Sequence, residues 1–284
     1  MPSSNWECIR VPIPPEAIID LAQKSGFDSE LRVAAIARRA KMHVRQSVYY
    51  IDKDERKGRE LDLHIYLQAM DKTEPVISCA VEMCVEVKKT RDPFIFFTSE
   101  RDTVEPGQGF SLIRCLHNVD NNLIGYNDIE RLRPLGQPPR LARSYVGAKG
   151  SQQIQSGIIS AVKAALHFRD QCEDHWDEKS RDIHFFVPIL VVDGPLCECY
   201  LDVDAGELRA SEVSDVVYAQ NYLSDSYGDV SNQVYVMTLQ RFDEIVGSFS
   251  EWAISIRDAL VKTRHKQPDR NLHETTVPPE GGSA

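Results

Sequence analysis

The chain has 284 residues, 43 Asp and Glu against 33 Lys and Arg, a formal charge of −10 and 42% hydrophobic content. That charge excludes a generally basic, nucleic-acid-coating surface, though local basic patches remain compatible with it. No apolar run reaches the length of a membrane span, the start Met-Pro-Ser-Ser-Asn-Trp lacks a signal peptide's basic and apolar regions, and seven scattered cysteines suit a reducing setting, so a cytoplasmic location is expected.

Residues 1–12 read as an entry arm. Pro14-Pro15 opens a short helix that Gly26 closes, and Asp28 or Ser29 caps a second helix over about residues 30–42. In that helix Glu30, Ala34 and Ala37 share a small-residue stripe that allows close approach to a sheet. Glu30 sits where the helix dipole favours a carboxylate, and a first-turn helix carboxylate is its plain reading. Residues 44–50 form a first strand. The segment Asp52-Lys53-Asp54-Glu55-Arg56-Lys57-Gly58 lacks the ligand spacing of an EF-hand and reads as a solvated turn.

Residues 59–67 and 76–88 alternate with a period of two, the signature of half-buried strands. Leu61, Leu63, Ile65 and Leu67 share one face, as do Ile77, Cys79, Val81, Met83, Val85 and Val87. The link Met70-Asp71-Lys72-Thr73-Glu74-Pro75 is rich in turn formers, so the two strands make a hairpin. Opposing Asp62 to Glu86 centres the connection on Glu74, and the same register opposes His64 to Cys84 and Glu60 to Lys88. Asp62, Glu86 and Lys88 then converge on one polar face, with opposed side chains about 5 Å apart.

Beyond the hairpin, Phe94-Ile95-Phe96-Phe97 is a buried element, and residues 99–149 read as an inserted loop region. Arg131, Arg133, Arg140, Arg143 and Lys149 concentrate positive charge there, as a solvated loop or as a flap over a phosphate backbone. Residues 151–171 form a helix with a broad apolar face. Residues 185–192 are a central strand ending in the tight turn Asp193-Gly194-Pro195, and residues 196–201 return beside it. A strand at 234–239 and a helix at about 241–261 complete one domain, 1–264, followed by a disordered tail, 265–284.

Two carboxylates and a lysine on one face can hold Mg²⁺ or Mn²⁺, hard cations that prefer oxygen ligands. A bound ion of this kind polarises a phosphoryl oxygen and lowers the pKa of its water. The plain alternative is an exposed sheet face with a Glu60–Lys88 ion pair worth at most about 1 kcal/mol. A zinc site assembled from Cys172, His175, Cys197 and Cys199 is less economical, since Cys197 and Cys199 simply share one strand face. His64, on the polar face near Asp62, reads as an exposed strand histidine in preference to a group supporting the metal ligands from behind.

The element order, a helix bearing Glu30, a strand, a hairpin carrying Asp62 and Glu86-Val87-Lys88, then helix, strand and strand, resembles the PD-(D/E)XK, or restriction-endonuclease-like, nuclease superfamily. Arg59-Glu60-Leu61-Asp62 matches the first acidic motif, Glu86-Val87-Lys88 the second, and Glu30 the acidic residue many members carry on the preceding helix. Residues 187–196 are similar to the strand-turn-strand of several such domains, and the resemblance covers roughly residues 25–200. The proline usually written before the aspartate is replaced by Glu60-Leu61. Gln152, Gln153 and Gln155 stand on the next helix without the tyrosine of some branches.

The resemblance implies an α/β fold, a mixed central β-sheet flanked by helices with a restriction-endonuclease-like core. It implies Asp62 and Glu86 as Mg²⁺ (or Mn²⁺) ligands, the Val87 carbonyl as a further ligand, Glu30 as a second-metal or outer-shell carboxylate, and Lys88 positioning the attacking water. The implied activity is metal-dependent hydrolysis of phosphodiester bonds in DNA, in a restriction or phage-defence context. A homodimer or partner subunit is expected where both strands are cut. The rival expectation is an inactive nuclease-fold subunit that binds nucleic acid or protein.

Overall fold

The computed structural model describes residues 13–103, 113–119, 140–147, 151–173 and 180–263. In chain order the elements are α1 (Pro15–Ser25), α2 (Phe27–Arg39), β1 (His43–Asp52), β2 (Lys57–Asp71), β3 (Val76–Lys89), β4 (Phe94–Thr103), β5 (Ile113–His117) and β6 (Arg140–Gly147). There follow α3 (Gln152–Glu173), β7 (Ser180–Asp193), β8 (Leu196–Asp202), β9 (Glu207–Glu212), β10 (Asp215–Ser224), β11 (Gly228–Thr238), α4 (Leu239–Ile245) and α5 (Ser248–Lys262).

The strands form one mixed sheet in the order β1-β2-β3-β7-β11-β10-β6-β4-β8-β9, with β5 pairing the N-terminal half of β7. The β1–β2–β3 meander is antiparallel. β7 then runs parallel to β3 over its whole length, from Val76↔Ser180 to Lys89↔Asp193. A parallel neighbour cannot be reached by a tight turn, and here the chain passes through β4, β5, β6 and α3 before β7 is laid down. Within the region expected as an inserted loop, β5 and β6 are ordered sheet strands. Arg143 lies on β6, and Arg131, Arg133 and Lys149 lie outside the described residues.

Helices cover both faces of the sheet. On one side α2, α4 and α5 bury Ala34, Ala37, Phe242, Phe249, Trp252 and Ile256 against Leu63, Ile65, Met83, Val85 and Ile189. On the other, α3 buries Ile154, Ile158, Val162 and Leu166 against Cys84, Phe186, Leu190 and Val192. This corrects the half-buried expectation for β3. The strand is buried on both faces from Ile77 to Val87, because α3 lies over the side that carries Glu82, Cys84 and Glu86. β7, apolar on both faces in sequence, is the central strand it was expected to be.

Helix boundaries differ from expectation in two places. α2 begins at Phe27, directly after Gly26, whose φ of 87° ends α1 in the left-handed conformation; Asp28 and Ser29 lie within its first turn instead of capping it. The single helix expected at 241–261 is two, α4 and α5, joined through Val246-Gly247, with Thr238 Oγ1 capping α4 by accepting from the Arg241 N–H. The tail beyond residue 263 lies outside the described residues. No helix among the described residues is long and apolar enough to cross a membrane.

Candidate functional site

The β2–β3 register matches the sequence arithmetic: Leu63 faces Val85, His64 faces Cys84, and the ladder continues to Asp71↔Ile77. Pairing stops one step before Asp62, where the strands separate. Asp62 Oδ2 instead accepts the Val87 N–H at 2.7 Å, so a side chain takes over from the backbone ladder at the point of divergence. On its other side Asp62 stands opposite Ser47, between the pairs Gln46↔Leu63 and Val48↔Leu61, and Ser47 has a φ of 50°. The backbone irregularity coincides with a change of face. Leu63, Ile65 and Leu67 pack in the α2/α4/α5 core, whereas Leu61 packs under α3. The period-two pattern therefore breaks at Asp62.

Glu86, 4% exposed, and Lys88 point from β3 into the same space. Lys88 Nζ donates to Glu86 Oε2 at 2.7 Å and lies 3.9 Å from Asp62 Oδ2. The expected Glu60–Lys88 pairing does not form, because the strands part before reaching it. Glu30, half-buried in the first turn of α2, faces the same group: burial, then Asp62, push its carboxyl up to about 7. Burial also raises Glu86 to about 7, with Lys88 opposing and Asp62 and Glu30 adding to the rise. Asp62 is raised by burial, against the pull of Lys88 and the Val87 N–H. Burial alone would lower Lys88, but Glu86 and Asp62 outweigh it and hold the ammonium charged. Three desolvated carboxyls thus share one cation.

Three devices fix this geometry; the sequence marks Ser29 only as a helix cap and Gly194 only as part of a tight turn, and does not mark Gly157. Ser29, fully buried, donates its hydroxyl to Asp193 Oδ2 at 2.5 Å, and Lys89 Nζ bonds Asp28 Oδ1 at 2.9 Å and the Gln23 carbonyl at 3.1 Å. Both contacts tie the N-terminus of the Glu30 helix to the ends of β3 and β7. Gly194 lets the turn after β7 close on Thr90: a Cβ there would lie 2.2 Å from the Thr90 carbonyl oxygen. Gly157 of α3 leaves room for the lysine, since a Cβ would lie 2.8 Å from Leu190 Cδ1 and 3.2 Å from Lys88 Cε. A close-packed glycine on a helix facing a sheet was the one available sequence signal. An open cleft of about 920 Å³ borders the site, lined among others by Glu30, Arg32, Lys88, Arg91 and Asp193.

Elsewhere the structure departs from the sequence reading. His64 is buried, not exposed: it stacks on Phe168 at 4.4 Å, and its Nε2 lies 3.0 Å from Glu82 Oε2, while His184 Nδ1 lies 3.1 Å from Glu82 Oε1. Asp52 is also buried. Lys163 of α3 bonds both its oxygens at 2.9 Å and lies 2.8 Å from Asp54 Oδ2, under Tyr222 and Tyr227, so the expected solvated turn is exposed from Lys53 to Gly58 but anchored at Asp52 by a buried ion pair. Of the zinc candidates, Cys172 is on α3 and Cys197 and Cys199 are on β8, all as free thiols, and His175 lies outside the described residues.

Among the described residues no group of three or more His, Cys, Asp or Glu side chains is arranged around a metal position as the side chains stand. At Glu86 the Lys88 ammonium holds the place a cation would take. The donor chemistry nevertheless fits a hard divalent ion: carboxylate oxygens only, crowded and desolvated, with too little positive charge to balance them. Comparison with protein-family models, curated proteins and solved structures returned no match.

Proposed function

We propose that the chain is a metal-dependent nuclease that hydrolyses phosphodiester bonds in DNA, with a restriction-endonuclease-like core. The observation that carries this reading is the meeting of Asp62, Glu86, Lys88 and Glu30 from three elements in one desolvated corner beside an open cleft. Asp62 and Glu86 would hold Mg²⁺ or Mn²⁺, with the Val87 carbonyl as a further ligand and Glu30 as an outer or second-ion carboxylate. When bound, such an ion polarises the phosphoryl oxygen and acidifies its water.

The chain's own residues divide the remaining work. Asp62 is held by the Val87 N–H, so its free oxygen has a defined direction. Lys88 stays protonated, which suits it to orient the attacking water and stabilise charge on the phosphoryl oxygens, and not to act as a base. Glu86 and α3 keep bulk water from the inner side of the site.

The test is an assay of purified protein on plasmid and single-stranded DNA with Mg²⁺, Mn²⁺ or EDTA. Metal-dependent cutting that disappears in Lys88→Ala is expected. Cutting that survives in both Asp62→Asn and Lys88→Ala removes the assignment.

One observation favours a second reading. Lys88 already neutralises Glu86 at 2.7 Å, so a metal-free ion pair is a self-consistent state of the site. In that reading the chain is an inactive nuclease-fold subunit that binds nucleic acid or protein, and the same assay gives DNA binding without cutting.

A further inference from the structure

We propose that the outer edge of β1, with Arg45 on its α3 side and Tyr49 on its α2 side, together with Arg38 of α2, is the seat of the nucleic-acid backbone. This rests on the nuclease reading and places that site's substrate on the molecule.

β1 is an edge strand of the sheet. Val48 and Tyr50 are buried from it, while Arg45, Ser47 and Tyr49 are exposed, Tyr49 to 67%. The register sets Ser47 across from Asp62, so the strand passes directly beside the first carboxylate of the site, and the change of face there puts Arg45 and Tyr49 on opposite sides of the edge. Arg38 Nη2 donates to Gln46 Oε1 at 3.0 Å, which brings a second guanidinium from the end of the Glu30 helix to the same strand.

In a chain with ten more acidic than basic residues, an arginine readily finds a carboxylate; Arg39, next along α2, bonds Asp243 at 2.8 Å. Neither Arg38 nor Arg45 has a carboxylate partner among the described residues. Two exposed guanidiniums without carboxylate partners, near a cluster of carboxylates, match a phosphodiester backbone, since planar guanidinium donors pair with phosphate oxygens. The exposed Tyr49 ring adds a face on which a base can stack. The cleft on the other side of Glu30 is of mixed charge, with Asp20, Asp28 and Asp193 beside Arg32, Lys89 and Arg91. Nucleic acid laid along β1 would therefore pass Asp62 with Arg38 and Arg45 against its phosphates.

The experiment measures binding of fluorescein-labelled duplex DNA by anisotropy across a salt series in calcium buffer. The parent is Asp62→Asn, which keeps the chain from cutting. Arg38→Glu and Arg45→Glu are each expected to weaken binding about tenfold and to reduce the slope of log affinity against log salt by about 1. Arg209→Glu, on β9 at the opposite edge of the sheet, should change neither. Circular dichroism of each variant must match the parent. Unchanged affinity and slope in both arginine variants, or no binding by the parent, overturns the seat. If the chain with Asp62 intact cuts DNA and the arginine variants behave as the parent does, the seat falls and the nuclease reading stands. If the arginines govern binding and no metal supports cutting, the seat stands and the catalytic reading falls.

Discussion

Asp62 Oδ2 accepts the Val87 N–H across 2.7 Å, so the first acidic residue of the site is bonded to the backbone between Glu86 and Lys88. One contact therefore sets the spacing of all three groups. It also substitutes for the ladder bond lost where β2 and β3 part.

Asp62→Asn and Asp62→Ala should separate chemistry from structure. Asn keeps an oxygen acceptor for the Val87 N–H, so its urea midpoint should lie close to the parent's. Ala leaves that donor without a partner and should cost about 1–3 kcal/mol. Both should lose metal-dependent cutting. Equal stability of the two variants would show that the Val87 contact contributes nothing.

The raised carboxyls give a signed pH dependence. Glu86 titrates near 4.5 when unfolded and near 7 in the folded chain. The folded state therefore binds the extra proton between those values. Its contribution to stability is full below pH 4.5 and is lost as pH rises through about 7. Glu86→Gln, which cannot ionise, should melt at a higher temperature than the parent at pH 8 without divalent metal, and the gap should close toward pH 5. A variant less stable than the parent at pH 8 contradicts this.

Gly157 controls the space behind Lys88. Gly157→Ala gains about 1 kcal/mol of helix propensity but places a methyl against Leu190 and the Lys88 stem. The two effects roughly cancel in a thermal melt. Cutting should nevertheless fall, because the ammonium is displaced, and Gly157→Val should add an overpacking loss of about 1–3 kcal/mol. Full activity in Gly157→Val would mean that Lys88 does not need this packing.

Lys163→Met tests the buried ion cluster away from the site. It leaves Asp52 buried and Asp54 without its ammonium, at an expected cost of about 3–5 kcal/mol measured by urea unfolding. A loss below 1 kcal/mol would show that the cluster is dispensable.

Ser29→Ala removes the hydroxyl that ties the Glu30 helix to Asp193. The expected loss is about 1–2 kcal/mol of stability, with a weaker response of cutting rate to Mn²⁺ concentration because Glu30 is less firmly placed. Wild-type metal response in a folded Ser29→Ala protein would remove Ser29 from the support of the site.

Much of the site was legible in one dimension because it is built largely from a hairpin. Strict alternation in β3 and a turn-rich link restrict the register to one solution, and Leu63↔Val85 with His64↔Cys84 realise it. His64, Asp52 and Glu82 were not legible in the same way. Each is a polar residue on a strand, which reads as solvent-facing unless something covers it. Here the cover is α3, whose Phe168 and Lys163 reach His64 and Asp52 respectively. The two strands of residues 207–224 also went unread, because β9 is exposed throughout and has no apolar rhythm to mark it.

The sequence by itself determined which residues share a strand face, where the hairpin turns, and hence that Asp62 and Glu86 lie within reach of one another. Only the tertiary structure decided that this face is dry, that Glu30 joins it, and that Lys88 is wedged between Glu86 and a helix glycine. The physical reason is range. Alternation and turn chemistry act between neighbours in the chain, whereas desolvation of a carboxylate depends on a helix that folds over it from a distant part of the chain.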